Sequence, residues 1–320
     1  MVLLEVKNLK TYYFTLKGMV KAVDNVSLSL EKGESLGIAG ESGCGKSTLA
    51  YSLLNLVPPP GRIVGGKVII DGIDITRMNE EELRTKIRWR RISMVFQGAM
   101  NALNPVYTVG YQLAEPLMYH KGMNRAEAVE VASKYLELVG LSPDTVNRYP
   151  HELSGGMKQR VVIAMALILN PDIVIADEPT TALDVVIQAQ ILNLLKKLQK
   201  ELNLTIILIT HDLSIISELS DKVAIMYAGK FVEYGPLERV YNNPQHPYTQ
   251  GLLRSIPRLR KKVEKLEWIP GVPPDLRAPP PGCRFHPRCK FVMDICKREE
   301  PPMVKIEPSH YVACWLYTKR

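Results

Sequence analysis

Long apolar runs are what this sequence most plainly lacks. Its longest wholly apolar stretch runs from Val161 to Leu169, about half of what a bilayer-spanning helix needs. The first residues, Met1-Val2-Leu3-Leu4-Glu5-Val6, hold an acid and no basic segment, so no secretory leader is expected and the protein is expected inside the cell. There is no internal repeat and no low-complexity tract. What remains, 46% hydrophobic and 23% charged over 320 residues, is an ordinary globular composition with room for one large domain and a smaller one.

Net charge is also missing from most of the chain. Residues 1–240 hold 26 Lys/Arg and 26 Asp/Glu, whereas residues 241–320 hold 15 against 7 and carry the whole excess of +8. A basic tail on a neutral body suits anionic lipid or nucleic acid, and equally an ordinary solvated surface. Thirteen of the 23 prolines also fall between Pro244 and Pro308. That predicts a change near residue 240 from α/β layers to an extended, loop-rich segment.

What is present begins with Gly40-Glu41-Ser42-Gly43-Cys44-Gly45-Lys46-Ser47, which satisfies G-x-x-x-x-G-K-[ST] at every fixed position. An apolar strand, Ser35 to Ala39, precedes it, and a helix through Thr48 to Leu54 follows until Pro58-Pro59-Pro60 stops it. Such a loop curls its N–H groups around phosphate oxygens at the positive end of the helix. Lys46 is placed to reach the β- and γ-phosphates and Ser47 to hold Mg²⁺. The protein is expected to bind a nucleoside triphosphate.

In chain order, residues 2–8 and 20–30 read as strands, with Tyr12-Tyr13-Phe14 between them. Those rings suit either edge packing or stacking on a purine. Val64 to Gly72 reads as a strand closed by an Asp71-Gly72 turn, and Asn79 to Arg91 as a charged helix. The strand Ile92 to Phe96 ends at Gln97, where open α/β sheets put their ligands. Residues 98–157 look mainly helical, most clearly Asn124 to Val139. Leu153-Ser154-Gly155-Gly156-Met157 opens the helix Lys158 to Leu169, as a plain N-cap or as a second anion-binding end.

Pro171 to Thr180 reads as a buried strand carrying two adjacent carboxylates, Asp177 and Glu178, at its end. Adjacent strand residues point opposite ways, so the two carboxylates are expected to differ in role. Asp177 suits the Mg²⁺ shell and Glu178 the polarising of an attacking water. After the helix Gln188 to Leu202, the strand Thr205 to Thr210 ends at His211, which suits a hydrogen bond to the γ-phosphate. Val223 to Tyr234 reads as a meander with a hairpin at Tyr227-Ala228-Gly229-Lys230.

Together these segments resemble the ATP-binding cassette (ABC) ATPases across residues 3–240. Gly40–Ser47 is similar to the Walker A loop, Gln97 to the Q-loop glutamine and Leu153–Met157 to the signature motif, with Met157 where the family usually has glutamine. Ile173–Glu178 resembles Walker B, Ala182-Leu183-Asp184 the D-loop and His211 the switch histidine. Ala102-Leu103-Asn104-Pro105, His246-Pro247-Tyr248-Thr249, Pro270-Gly271-Val272-Pro273-Pro274 and Cys283-Arg284-Phe285-His286-Pro287-Arg288-Cys289 narrow the resemblance to the oligopeptide/dipeptide importer subgroup.

The resemblance implies an α/β fold: a P-loop NTPase (RecA-like) core with an antiparallel β subdomain and a helical signature subdomain at about 98–157. Together these make a cassette over 1–240, and an oligopeptide-transporter-type extension with the cysteines covers 241–320. It implies ATP bound by Tyr13 (or Tyr12) against the base and by Gly40, Ser42, Gly43, Cys44, Gly45, Lys46, Ser47 and Thr48. Ser47, Gln97 and Asp177 attend Mg²⁺; Glu178, His211, Gln97 and Lys46 serve catalysis. Ser154, Gly155 and Gly156 close over the γ-phosphate bound by a partner cassette. It implies a second ATPase (homologous or identical), two permease subunits and an extracytoplasmic solute-binding protein, at the cytoplasmic face of a membrane. The solute is expected to be a peptide, with oligosaccharide and nickel as alternatives, and a soluble ABC ATPase acting on nucleic acid as the competing class.

Cys283, Cys289, Cys296 and Cys314 are spaced C-x5-C-x6-C-x17-C. Four cysteines so close inside a cell argue for a metal over disulfides, although the spacing fits neither the usual ferredoxin run nor zinc-finger pairs. The subgroup resemblance favours a [4Fe–4S] cluster, with Zn²⁺ as the alternative.

Overall fold

A computed structural model of the chain describes residues 2–255 and 268–318, so the basic stretch Arg258 to Lys265 lies outside the described residues. In chain order the strands are β1 (Val2–Thr15), β2 (Gly18–Glu31), β3 (Ser35–Ala39), β4 (Gly61–Ile70), β5 (Ile73–Asp74), β6 (Ile92–Val95), β7 (Ile173–Asp177), β8 (Thr205–Ile209), β9 (Lys222–Tyr227), β10 (Lys230–Pro236), β11 (Met303–Glu307) and β12 (His310–Ala313). The α-helices are α1 (Lys46–Leu53), α2 (Glu80–Glu82), α3 (Val109–Lys121), α4 (Arg125–Leu138), α5 (Gly155–Leu167), α6 (Val185–Leu202), α7 (Leu213–Leu219), α8 (Leu237–Asn242) and α9 (Pro247–Arg254).

The chain divides into two units that do not follow its order. One comprises Arg77–Ile207 with Glu31–Gly33, and the other Val2–Leu30, Glu34–Thr76 and Leu208–Arg320. The second unit holds an antiparallel sheet in the order β2-β1-β4-β5, and five strands in the order β11-β12-β10-β9-β3. Its core is aliphatic: Leu36, Ile38 and Ala39 of β3, Leu49 and Leu53 of α1, and Val223 to Met226 of β9 are all buried. β3 runs parallel to β9, with Ala39 beside Ile225. In the Arg77–Ile207 unit, β6 and β7 are parallel with Val95 beside Ala176, and both are buried throughout, hence their apolar sequence apart from Ser93 and the terminal Asp177.

Local chemistry sets most element ends. Asn124 caps α4 in a reciprocal box with Glu127, and Asp184 caps α6 by accepting from Ile187 N–H at 2.9 Å. The expected hairpin turns between β9 and β10 at Ala228 and Gly229, both with positive φ, as a tight hairpin requires. The Asp71-Gly72 turn between β4 and β5 has the same backbone.

Three sequence expectations are corrected. β1 extends through Thr15, so Tyr12, Tyr13 and Phe14 are strand residues and not a connection; pairing with β4 as far as Gly61 carries the ladder past the polar residues that seemed to end it. The helix expected over 79–91 is the short α2, followed by a π-helical turn over Leu83–Ile87. Packing overrides the helix-forming sequence there: Leu83 and Ile87 are buried, Trp89 adopts φ 66°, and its indole N–H reaches the Met165 carbonyl at 2.7 Å. Finally, the segment after 240 is less extended than its prolines suggest, holding α9 and the β11–β12 hairpin.

α9 starts at a buried histidine. His246 Nδ1 accepts from the Tyr248 N–H at 3.0 Å, and its own backbone N–H donates to Glu233 Oε2 at 2.9 Å. Burial pushes the imidazole down to about 4 from its ordinary 6.5, against the pull of Glu233. A base with a depressed folded pKa gives its full stability above 6.5 and loses it as pH falls towards 4, because the unfolded chain takes up the proton first. Roughly 3 kcal/mol is at stake over that window. Urea midpoints measured from pH 7 to 4.5 should therefore fall less steeply in His246→Asn, which keeps a capping acceptor but no proton to gain. Equal slopes in the two proteins would remove His246 as the source.

Candidate nucleotide site

The phosphate loop is shaped by glycines that tolerate no side chain. Gly45 has φ 110° and ends the loop as the N-cap of α1. A Cβ there would run into the Ala22 carbonyl, and one at Gly40 into the Met226 carbonyl. No side chain caps α1, so its first N–H groups stand available to an anion. Lys46 is buried at the foot of the loop and donates from Nζ to the Gly40 carbonyl at 2.7 Å and the Glu41 carbonyl at 3.1 Å. Ser42 and Gly43 form its exposed tip, and Ser47 and Thr48 open the helix half-buried. Cys44 is buried beneath the loop, and that burial pushes its thiol up.

Both candidate aromatics are half-buried on β1 and lie on opposite faces. Tyr13 faces α1, its hydroxyl 3.5 Å from Thr48 Oγ1 and its ring closed in by Gly61, where a Cβ would approach Cε1 to 2.6 Å. Tyr12 donates to Asp24 Oδ1 at 2.7 Å, and burial followed by that bond pushes its hydroxyl up to about 12. Burial works to raise Asp24, yet Tyr12, Lys230 and Arg284 outweigh it and hold the carboxyl below its usual range. The Asp24 N–H donates to Gly229, whose own N–H donates to the Cys44 carbonyl at 2.8 Å. His211 stands exposed between β8 and α7.

Sequence reading passed over Glu41, a variable position of the motif, and the arginines between Cys283 and Cys289. Arg288 meets the Glu41 carboxylate two-pronged, at 2.6 and 2.9 Å. Arg284 pairs with Asp24 and donates to the Ala228 carbonyl. The Glu41 N–H donates to the Tyr248 hydroxyl oxygen at 2.9 Å. Only the acid within a phosphate-binding loop could have signalled a cation elsewhere.

In the Arg77–Ile207 unit, β7 brings Asp177 to its end, 1% exposed. Glu178 follows in a left-handed conformation, φ 47°. Its Oε2 accepts from Gln97 Nε2 at 2.9 Å and from the Thr181 hydroxyl at 3.0 Å. The parallel pairing of β6 with β7 is what sets Gln97 beside Glu178. Ser154 caps α5 by accepting from Met157 N–H at 3.4 Å, with Gly155 exposed beside it. A Cβ on Gly156 would come within 2.8 Å of Ile187 Cγ2, so this glycine is needed for close approach to α6.

All five cysteines are free thiols. Burial and then the neighbouring thiols push Cys283 up to about 12 and Cys314 up to about 11. Cys283 N–H donates to the Cys296 carbonyl at 2.9 Å, and Phe291 N–H to Cys289 Sγ at 3.4 Å. Among the described residues no group of three or more His, Cys, Asp or Glu is placed to hold a metal ion, and no helix is long and apolar enough to cross a membrane.

A family model described as ABC transporter matches residues 23–181, and one described as oligopeptide/dipeptide transporter, C-terminal region, matches residues 232–296. The chain is 49% identical to the dipeptide transport ATP-binding protein DppD of Bacillus subtilis (strain 168) over 99% of its own length and 95% of the relative's. It is 48% identical to the oligopeptide transport ATP-binding protein OppD of the same organism, over 98% and 88%. The solved dimeric structure of MJ0796, a bacterial ABC transporter cassette, superposes with a TM-score of 0.65 at 32% identity, covering 73% of this chain and 98% of that one. A post-hydrolysis state of the same cassette, bound to ADP and Pi, gives 0.64.

Proposed function

We propose a mechanism from the premise that this chain belongs to the ABC transporter family, among the ATP-binding subunits of dipeptide and oligopeptide importers. It is an ATPase whose hydrolysis of ATP powers peptide import, and it works as a cassette dimer with permease partners. Division of labour follows chain order, with residues 1–240 as the cassette, including a helical part at about 98–157, and 241–320 as the extension.

The phosphate loop is the observation that carries the reading. Its N–H groups, from Gly40 through Thr48, surround the phosphates, and the Lys46 ammonium moves from the loop carbonyls to the β- and γ-phosphates. The Ser47 hydroxyl, Gln97 amide and Asp177 carboxylate are hard oxygen donors, the set that suits Mg²⁺. When bound, that ion offsets charge on the β- and γ-oxygens. Glu178 polarises the water that attacks the γ-phosphorus; the bond to the β-γ bridging oxygen breaks, and ADP and phosphate leave. Gln97 orients Glu178 through the 2.9 Å hydrogen bond. His211 donates to a γ-phosphate oxygen, and Ser154, Gly155 and Gly156 of the partner cassette close over the same group. Of the two tyrosines, Tyr12 is the better base platform, because Tyr13 is enclosed between Gly61 and α1 while Tyr12 is tied through Asp24 and Gly229 to the phosphate loop.

The place of action is the cytoplasmic face of a membrane, with an extracytoplasmic solute-binding protein delivering the peptide. Co-purification from native membranes in mild detergent tests this assembly. Two multispanning proteins, a second cassette and a solute-binding protein are the expected companions; ribosomal proteins or nucleic acid in their place would overturn it.

The extension's thiols bind a [4Fe–4S] cluster in this reading. Support comes from donor chemistry alone, four free thiols being the ligand set that such a cluster takes; among the described residues they are not placed together as a group that holds a metal ion. No step of ATP hydrolysis passes through the group. Anaerobic purification with iron, sulfide and zinc assay decides it: about four iron and four sulfide per chain supports the cluster, zinc alone the alternative, and neither removes the metal.

A further inference from the structure

We propose that Arg288 is a positioning residue of the ATP site: it neutralises the Glu41 carboxylate and, through Glu41, holds the phosphate loop in the shape that accepts a triphosphate. The proposal rests on ATP binding at the Gly40–Ser47 loop.

Glu41 puts a negative charge next to the place where a triphosphate binds. Its carboxylate sits inside a loop whose task is to attract phosphate, and an unneutralised acid there would repel the ligand. Arg288 answers that charge with both prongs of its guanidinium, at 2.6 and 2.9 Å. Such a fork fixes direction as well as charge, which a lysine cannot do.

The arginine is itself immobilised. It is 7% exposed, and its Nε donates to the Pro270 carbonyl at 2.7 Å. Its guanidinium lies 5.7 Å from the Tyr227 ring centroid and 6.0 Å from that of Phe285. A side chain held so firmly can hold something else.

What it holds is central to the loop. The Glu41 N–H is taken by Tyr248 at 2.9 Å, and its carbonyl receives the Cys44 N–H at 3.3 Å and the Lys46 ammonium at 3.1 Å. The extension thus secures both the amide and the side chain of the residue that supports Lys46. If Glu41 turned, the carbonyl beneath Lys46 would turn with it.

Equilibrium binding of Mg-ATP to the full chain tests this. Arg288→Ala is expected to weaken ATP by about tenfold, the loss from one unneutralised, misdirected charge. Adding Glu41→Gln to Arg288→Ala should recover most of that affinity, because the carboxylate that Arg288 answers is gone. Arg288→Lys keeps the charge without the fork and should lose about threefold, as a point charge replacing a two-pronged contact does; it also serves if the alanine variant fails to fold. A role confined to docking the extension would lower the melting temperature and leave ATP affinity unchanged, overturning the proposal. Equal losses with and without the Glu41 carboxylate would overturn it too. Failure of the unaltered chain to bind ATP would instead remove the ATP site itself.

Discussion

Glu178→Gln is expected to leave ATP bound while turnover falls about 10²- to 10⁴-fold, the range that a positioned general base supplies. The substitution is nearly isosteric and removes only the charge that draws a proton from water. It should cost little in folding, because one amide oxygen still accepts from Thr181, which now bonds Oε2 at 3.0 Å. Glu178 adopts φ 47°, costly for a side chain that lacks the local bonding of Asn or Asp. Backbone held in such a region tends to mark a residue whose direction matters. The Gln97 amide, 2.9 Å away, is the second constraint on that direction. Gln97→Ala should lower turnover less than Glu178→Gln, because it removes the orienting amide and one oxygen donor to Mg²⁺ but leaves the base in place. Nucleotide-binding titrations beside single-turnover phosphate release separate the two effects. Turnover in Glu178→Gln equal to the parent protein would remove Glu178 from the chemistry.

Glu233→Ala should destabilise the joint between β10 and the extension by about 3–5 kcal/mol, as breaking a buried charged network does. Glu233 is 0% exposed. Its Oε1 accepts from the Gln245 N–H and the His310 Nε2, each at 2.8 Å, and its Oε2 accepts from the His246 N–H at 2.9 Å. Truncation removes one buried group and leaves three donors without their acceptor, a larger penalty than loss of a single bond. Hydrogen exchange localises the effect: the Gln245 and His246 amides should lose protection first, with strands β3 and β9 changed less. If those amides stay protected, the carboxylate does not hold the extension.

These two residues mark what a sequence can disclose. Glu178 was legible because its chemistry is local, an acid just past an apolar strand that follows a phosphate-loop pattern. β3, β7 and β8 were legible for the same reason, being short, mostly aliphatic or β-branched segments beside recognisable polar residues. Glu233 looked like any acid on a half-buried strand, and its partners come from 12 and 77 residues away. The Arg288–Glu41 pair spans 247 residues, beyond the reach of any local pattern. The interrupted helix after Asn79 was missed because the half-buried indole contact of Trp89, and not helix propensity, decides the backbone there. The tail's prolines were read as extended chain, yet Pro247 opens α9, where a missing N–H costs nothing.

The pairing of β10 with β12 has a consequence in time. Glu233 lies beside Val312 and Tyr234 beside Tyr311, so β10 emerges from the ribosome well before the strand that covers it. Through that interval it is an open edge with unpaired N–H and C=O groups, available to a neighbouring nascent chain. Once β12 arrives, the border passes to β11, five residues bearing Lys305 and Glu307 with prolines on either side, a strand ill-suited to recruit another. Stop codons ahead of residue 303 should therefore yield a chain that aggregates during synthesis.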